Sequence, residues 1–141
     1  MSITVDYVGN YKPYKGSKFA SGYDLRASVT DPVKINPGEY VEIKTGIQAQ
    51  PPIDYVGLLF IRSGLSKRGL RLTTGVSVID PDYTGDITCC VYNDSDETQT
   101  IYDGDRIAQI VYTKCADVIW NKVEALRETE RGDGGFGSTG R

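Results

Sequence analysis

Histidine is absent from the 141 residues of this sequence. Its absence excludes Ser-His-Asp and Cys-His nucleophilic machinery and any zinc site that depends on imidazole. The three cysteines, Cys89, Cys90 and Cys115, match neither a disulfide framework nor a metal-ligand spacing. Any chemistry must therefore use carboxylates, hydroxyls, basic side chains, backbone amides or a metal ion held by oxygen atoms.

Long hydrophobic runs and an excess of positive charge are also missing. No apolar stretch approaches the ~20 residues of a transmembrane helix, and the N-terminus lacks a signal-peptide pattern. The formal net charge of -3 argues against a nucleic-acid-binding surface. We therefore expect one cytoplasmic domain (in the host cytoplasm if the source is viral), with neither a nucleic-acid nor a membrane partner.

Short strand signals dominate what is present. They are "EYVEIKTGIQAQ" (39–50), "YVGLLFI" (55–61), "DITCCVYN" (86–93) and "RIAQIVY" (106–112), with "VIWNKVEAL" (118–126) a weaker one. One short helix is expected near "SGLSKRG" (63–69), where the second of these strands ends. Many short strands between Gly and Pro turns predict an all-β antiparallel sandwich or jelly roll.

The stretch "FIRSGLSKRGL" (60–70) offers a site for a phosphate group. A strand delivers Arg62, Ser63 and Gly64 into the start of a helical turn. Free backbone N–H groups, a hydroxyl and a guanidinium group all suit phosphate oxygens. The alternative interpretation is a solvated basic turn.

The stretch "TTGVSVIDPDYTGDI" (73–87) offers a carboxylate for catalysis. Two β-branched runs flank "DPDYTG", a pattern that predicts a hairpin-like fold. Asp80 follows the apolar Val78 and Ile79, so we expect it in a partly desolvated place, where it could act as a general base toward water. Tyr83 has a flat face able to support a sugar ring. Alternatively, the acidic residues here are ordinary turn formers.

Two further strands carry isolated polar residues. Asp24 in "SGYDLRA" (21–27) could bind a hard cation through water, or simply be solvated or hydrogen-bonded. In "DGDRIAQIVY" (103–112), alternation groups Ile107, Gln109 and Val111 on one face and Arg106, Ala108 and Ile110 on the other. An amide among apolar residues needs a partner. That partner is either a ligand oxygen or a neighbouring strand.

The chain ends in "RGDGGFGSTGR" (131–141), where Phe136 is the one large apolar residue. Such a segment cannot bury enough surface to offset its ordering entropy, so we expect it to be disordered on its own. It is either a frayed tail or a flap that becomes ordered when a ligand binds.

Taken together and in this order, these stretches resemble the five motifs of the trimeric dUTPase family. The matching segments are "SGYDL", "RSGLSKRG", "GVSVIDPDYTGD", "GDRIAQIV" and "RGDGGFGSTG". The resemblance implies hydrolysis of dUTP to dUMP and pyrophosphate with Mg²⁺, which keeps uracil out of DNA and supplies dUMP for thymidylate synthesis. It also implies a jelly-roll-like β barrel over residues 1–130 (the dUTPase-like β-clip), a homotrimer with shared active sites, and a mobile arm, 131–141, that closes over the site.

The resemblance also implies a role for each matching residue. Asp80 would deprotonate the water that attacks the α-phosphorus, and Tyr83 would pack on the deoxyribose and reject UTP. The backbone from Thr74 to Thr88, including Val78 and Ile79, would read the uracil. The phosphate chain would be held by Arg62, Ser63, Gly64 and Gln109, and Asp24 would contact Mg²⁺ through water. From the arm, Phe136 would stack over the uracil, Arg131 and Ser138 would contact the terminal phosphate, and Gly137 would also bind substrate.

Two positions depart from the family pattern, and two alternatives stay open. Ser77 stands where the family usually has glycine, and Ile61 where it often has proline or alanine. The dCTP deaminases share the fold and the trimer, but they carry a catalytic glutamate where this chain has Cys90, and a thiol cannot replace that carboxylate. A non-catalytic trimeric β module, or a regulatory protein switched by the nucleotide, is the other alternative. The presence of Asp80 favours an enzyme.

Overall fold

The computed structural model describes residues 2–138 and 140 of the chain. Its regular structure is almost entirely β, with one short helix, α1 (Ser63–Lys67). The strands are β1 (Asp6–Val8), β2 (Tyr23–Arg26), β3 (Val33–Ile35), β4 (Tyr40–Lys44), β5 (Gln48–Gln50), β6 (Tyr55–Ile61), β7 (Leu70–Leu72), β8 (Ser77–Ile79), β9 (Thr88–Asn93), β10 (Gln99–Ile101) and β11 (Arg106–Lys114). Among the described residues, no helix is long and apolar enough to cross a membrane.

Strand β6 lies at the centre of the largest sheet. It pairs antiparallel with β11 over its whole length and with β8 on its other edge. The sheet has the strand order β2-β11-β6-β8, and a second sheet has the order β4-β9-β7. Two smaller antiparallel pairs, β1-β5 and β10-β3, complete the fold.

Apolar side chains from these sheets form a single core. Fully buried members include Leu25, Leu59 and Ile110 from the larger sheet, Ile43, Leu72 and Val91 from the second sheet, and Ile35 and Ile101 from the β10-β3 pair. Alternating burial along each strand leaves the other face of the larger sheet partly open. The all-β, jelly-roll-like architecture predicted from the strand pattern is confirmed.

Several local predictions are also confirmed. The strand over 55–61 has the predicted bounds, and α1 begins two residues after it ends. Cys89 and Cys90 face opposite sides of β9, one buried and the other half-buried. Burial raises the pKa of the Cys89 thiol to about 12, which keeps this core thiol protonated and unreactive at neutral pH.

The predicted hairpin over 73–87 is wrong. Strand β8 pairs with β6, whereas β9 pairs with β4 and β7, so the intervening turn carries the chain from one sheet to the other. Just before β9, the Ile87 N–H donates to Ile47 O at 2.8 Å, and this hydrogen bond stabilises the chain where it passes from one sheet to the other. β-Branched residues on both sides of a turn do not show whether the two strands pair with each other.

The weaker strand prediction over 118–126 is also wrong for this chain. The last strand ends at Lys114, and the side chains of residues 115–130 are exposed. A strand needs a neighbour for its backbone N–H and C=O groups. Among the described residues of this chain, residues 118–126 make no backbone hydrogen bond to a neighbouring strand.

Candidate active site

One group of candidate residues lies on the open face of the larger sheet, near the end of β6. Gln109 is paired in register with Asp24 on one side and with Phe60 on the other. Directly opposite residues share a face, so the Asp24 carboxylate and the Gln109 amide lie side by side. Arg62 follows β6, and its Nε lies 3.2 Å from Asp24 Oδ1.

A second arginine joins this group through an irregularity in β11. A bulge between Arg106 and Ala108 shifts the register against β2. Arg106 is thereby brought to the face that carries Asp24, and its Nη1 lies 3.6 Å from Asp24 Oδ2. Strict alternation assigned Arg106 to the opposite face and Ile107 to the face of Gln109. Both assignments are wrong, and Ile107 is fully buried in the core.

The start of α1 is open to a ligand. Arg62 is extended (φ -73°, ψ 145°), and its carbonyl accepts hydrogen bonds from the N–H groups of Leu65 and Ser66. The N–H groups of Ser63 and Gly64, the first two helical residues, have no acceptor within the helix, and both residues are exposed. A β-carbon built on Gly64 would have no atom within 4 Å. The backbone here therefore has room for a close approach by another molecule.

Gly22 is a site residue that sequence reasoning missed. A β-carbon at this position would collide with Gln109 Oε1 and would lie 3.3 Å from Gln109 Cβ and Cδ. Only a residue without a side chain leaves the Gln109 amide where it is. The signal was present as the glycine of "SGYDL", but the pairing of β2 with β11 was needed to interpret it.

The other group of candidate residues lies in the turn after β8. The Tyr83 N–H donates to Asp80 O at 3.1 Å, which closes a four-residue turn with Pro81 at its second position. Tyr83 is 45% exposed. Asp80 is exposed in the single chain, so the expectation of a partly desolvated place is wrong there. Its role as a base stays a prediction.

The stretch expected to read the base precedes this turn. Gly75 has a φ of 73°, a conformation that favours glycine, and the hydroxyl groups of Thr74 and Ser77 lie 2.7 Å apart. Ser77 belongs to β8 and does not have a positive φ. Serine at position 77, where the family usually has glycine, therefore adds no backbone strain. Val78, the next residue, is 63% exposed.

The two groups lie at opposite ends of β6. Ile79 pairs with Gly57, and β8 runs antiparallel to β6, so Asp80 continues away from Arg62. The five residue steps from Gly57 to Arg62 span about 17 Å at a rise of about 3.3 Å per residue. A general base must reach the reacting group directly or through one water. One chain therefore does not bring Asp80 and the Arg62 group into a single site.

The C-terminal segment makes only local hydrogen bonds among its described residues. Arg131 Nε donates to Gly134 O at 2.7 Å, and the Ser138 N–H donates to Gly135 O at 3.1 Å. Phe136 is fully exposed, with a φ of 52°. Thr139 and Arg141 of this segment lie outside the described residues. In the single chain the structure does not bring Arg131, Phe136, Gly137 or Ser138 to either group of candidate residues.

Comparison with known proteins agrees with this geometry. The family model described as dUTPase matches residues 11–140. The deoxyuridine 5'-triphosphate nucleotidohydrolase of Desulfitobacterium hafniense (strain DSM 10664 / DCB-2) is 45% identical, over 99% of this chain and 97% of its own length. The enzyme of the same name from Wolbachia pipientis subsp. Culex pipiens (strain wPip) is 42% identical, over 86% of this chain and 82% of its own length.

Solved structures resemble the whole fold. The dUTPase of Staphylococcus bacteriophage 80alpha, in complex with dUpNHpp, superimposes with a TM-score of 0.87 at 28% identity, over 98% of this chain and 99% of that one. A mutant dUTPase of phage phi11 of S. aureus, which coordinates a structural Mg(II) ion, is 24% identical with a TM-score of 0.79, over 89% of this chain and 99% of that one, and its likeness concerns the fold alone. The fold is thus that of a jelly-roll-like nucleotidohydrolase. The chain belongs to the dUTPase family.

The contact at Gly22 predicts the effect of one methyl group. In Gly22→Ala, the new β-carbon displaces the Gln109 amide, and kcat/KM for dUTP falls about 10- to 100-fold, as a misplacement of about 1 Å in a site can cause. Gly16→Ala is the matched control, because a β-carbon at Gly16 meets no atom within 4 Å and its φ is not positive. Equal kcat/KM values for the two variants would contradict the role given to Gly22.

Proposed function

We propose that this member of the dUTPase family hydrolyses dUTP to dUMP and pyrophosphate, with Asp80 activating the water that attacks the α-phosphorus. The observation that carries the proposal is the hydrogen-bonded turn from Asp80 to Tyr83. It places Asp80 in the same four-residue turn as Tyr83, whose aromatic ring is of suitable size for a deoxyribose. A sugar packed on Tyr83 would have its α-phosphate on the side of Asp80, and would leave no room for the 2′-hydroxyl of UTP.

The group around Arg62 supplies the phosphate-binding half of the site. A guanidinium group has five N–H donors, and the contact with Asp24 uses Nε. The terminal nitrogens can therefore serve phosphate oxygens, while Asp24 limits the rotation of the arginine. Ser63, Gly64 and Gln109 add a hydroxyl, backbone N–H groups and an amide. Charge neutralisation and positioning of a water are most of what such a displacement needs.

The residues present fit Mg²⁺ bound mainly by the substrate. Among the described residues, no group of three or more acidic or cysteine side chains could hold a metal ion. Mg²⁺ prefers oxygen ligands and keeps several waters, so triphosphate oxygens suit it. Asp24 has unused lone pairs beside its two arginine contacts and would contact the ion through water. The bound ion would neutralise charge on the phosphate chain.

A homotrimer would bring the separated halves together. The separation along β6 requires that Asp80 act with the Arg62 group of another chain. Two surfaces suit such an assembly. The open face of the larger sheet carries half-buried apolar residues such as Leu58 and Phe60, and the extended segment 115–130 exposes Ile119 (93%), Trp120 (91%) and Leu126 (86%). Contiguous exposed apolar groups of this kind mark protein interfaces.

The C-terminal arm, residues 131–141, would complete the site over the bound nucleotide, beside a barrel domain of residues 1–130. Phe136 is fully exposed and free of the core, as a ring that stacks on uracil must be. Arg131 and Ser138 would contact the terminal phosphate, with Gly137 between Phe136 and Ser138 as a further substrate contact. The nucleotide would thus supply the apolar surface and the charge that this segment lacks on its own.

The alternatives have less support. A dCTP deaminase would need a carboxylate where Cys90 lies on β9. A nucleotide-switched regulator is compatible with the same fold, because the 80alpha dUTPase is described as controlling transfer of virulence genes by a G protein-like mechanism. Within this chain, the turn from Asp80 to Tyr83 favours catalysis.

Removing the base tests the mechanism. Asp80→Asn keeps the shape of the side chain but cannot accept a proton, so kcat for dUTP falls by at least about 100-fold, the usual contribution of a general base. Its affinity for dUpNHpp, measured by calorimetry, stays near that of the unchanged protein. Asp82→Asn is the matched control, since Asp82 is exposed in the same turn. Pyrophosphate release by Asp80→Asn at the rate of Asp82→Asn would refute the assignment.

Replacing an exposed apolar residue tests the assembly. The unchanged protein is expected to sediment at three times the mass of one chain, and Trp120→Asp at a lower mass, because a charge at an apolar interface is costly to desolvate. Phe19→Asp, which changes an 86% exposed ring outside the 115–130 segment, is expected to leave the mass unchanged. An unchanged protein that sediments as a single chain would contradict the proposed trimer.

A further inference from the structure

Tyr83 is held by two hydrogen bonds within residues 80–86. Its N–H donates to Asp80 O at 3.1 Å, and its hydroxyl donates to Asp86 O at 2.7 Å. The ring also lies close to Gly85, which has no side chain to occupy that space. A β-carbon on Gly85 would lie 2.6 Å from Tyr83 Oη, 2.7 Å from Cζ and 3.1 Å from Cε1. The edge of the ring therefore occupies the space that any other residue at position 85 would need.

The backbone of Gly85 does not itself require glycine. Its φ is not positive, unlike that of Gly75 earlier in the same stretch. An alanine at position 85 would thus meet no backbone strain. The one cost would be the clash with the Tyr83 ring, which could respond by turning about its side-chain bonds. Gly85 is present because of where the ring of Tyr83 lies.

The far end of the turn is fastened to the barrel. Thr84 O accepts a hydrogen bond from Gln48 Nε2 at 2.8 Å. The Asp86 carboxylate accepts one from the Thr45 N–H at 3.3 Å and one from Thr88 Oγ1 at 3.1 Å. The carbonyl that anchors the Tyr83 hydroxyl therefore belongs to a residue that is itself fixed. The ring is held against a rigid surface, although it is nearly half exposed.

We propose that Gly85 is a positioning residue that sets the discrimination between dUTP and UTP through the placement of the Tyr83 ring. The proposal rests on the proposed function, in which Tyr83 packs on the sugar. A 2′-hydroxyl is excluded only if the ring stays close to the 2′-carbon. The Asp86 carbonyl holds the ring there, because it accepts the hydrogen bond from the Tyr83 hydroxyl. Gly85 permits this position, because its lack of a side chain leaves space for the edge of the ring. Gly85 itself does not contact the sugar.

The experiment compares kcat/KM for dUTP and for UTP in a double-mutant cycle. The ratio of the two values should fall at least about tenfold in Gly85→Ala, because a displacement of about 1 Å in a site can change rates about 100-fold. In a Tyr83→Ala background, adding Gly85→Ala should change the ratio less than about twofold, since effects acting through one side chain are not additive. Gly16→Ala is expected to keep the ratio of the unchanged protein.

Tyr83→Phe provides a second test, because it removes the hydrogen bond to Asp86 O and adds no atoms. It should fold even where Gly85→Ala does not, and its ratio should fall between those of the unchanged protein and Tyr83→Ala. An unchanged ratio in a folded Gly85→Ala would overturn the inference, as would an unchanged ratio in Tyr83→Phe where Gly85→Ala does not fold, or an equal effect of Gly85→Ala with and without Tyr83. Failure of the proposed function is distinguishable, because the unchanged protein would then not hydrolyse dUTP, or Tyr83→Ala would keep the full ratio.

Discussion

The pairing register of strand β6 determines where the chemistry of this protein can occur. β8 pairs antiparallel with the middle of β6 and β11 with all of it, so Asp80 continues toward one end of β6 while Arg62 follows the other end. The register is itself set by burial, because Leu59 and Ile110 must face the core. In the proposed active site, each chain thus carries two halves that it cannot join by itself.

Each half is stabilised in a different way. Around Arg62, the constraint is electrostatic, with one carboxylate between two guanidinium groups on the open face of the sheet. Around Tyr83, the constraint is steric and comes from hydrogen bonding: the ring lies close to Gly85, and its hydroxyl donates to Asp86 O. Each half includes a glycine that leaves room for a neighbouring side chain. Gly22 leaves room for the Gln109 amide, and Gly85 leaves room for the Tyr83 ring.

Local patterns in the sequence were enough for the architecture, whereas the roles of the candidate residues came from the resemblance to the family and stay predictions. Short apolar runs between turn signals predicted strands over 55–61 and 106–112, and the "RSG" that follows the first of them predicted the start of α1. Long-range pairing was beyond such patterns. The bulge in β11 that moves Arg106 beside Asp24, and the turn that carries the chain from β8 to a different sheet, both depend on partners distant in sequence. The exposure of Asp80 and the lack of a strand over 118–126 differ from expectation for a related reason, since the neighbours proposed for these residues belong to other chains.

The most direct test of this account mixes two inactive variants, Asp80→Asn and Arg62→Ala, in equal amounts under conditions that exchange subunits. If Asp80 of one chain acts with Arg62 of another, roughly one quarter of the sites in random mixed trimers contain both native residues, and dUTP hydrolysis returns to about that fraction of the native rate. Variants mixed without subunit exchange should stay inactive. A mixture that exchanges subunits but regains no activity would show that a single chain supplies both halves of its site, and would contradict the account.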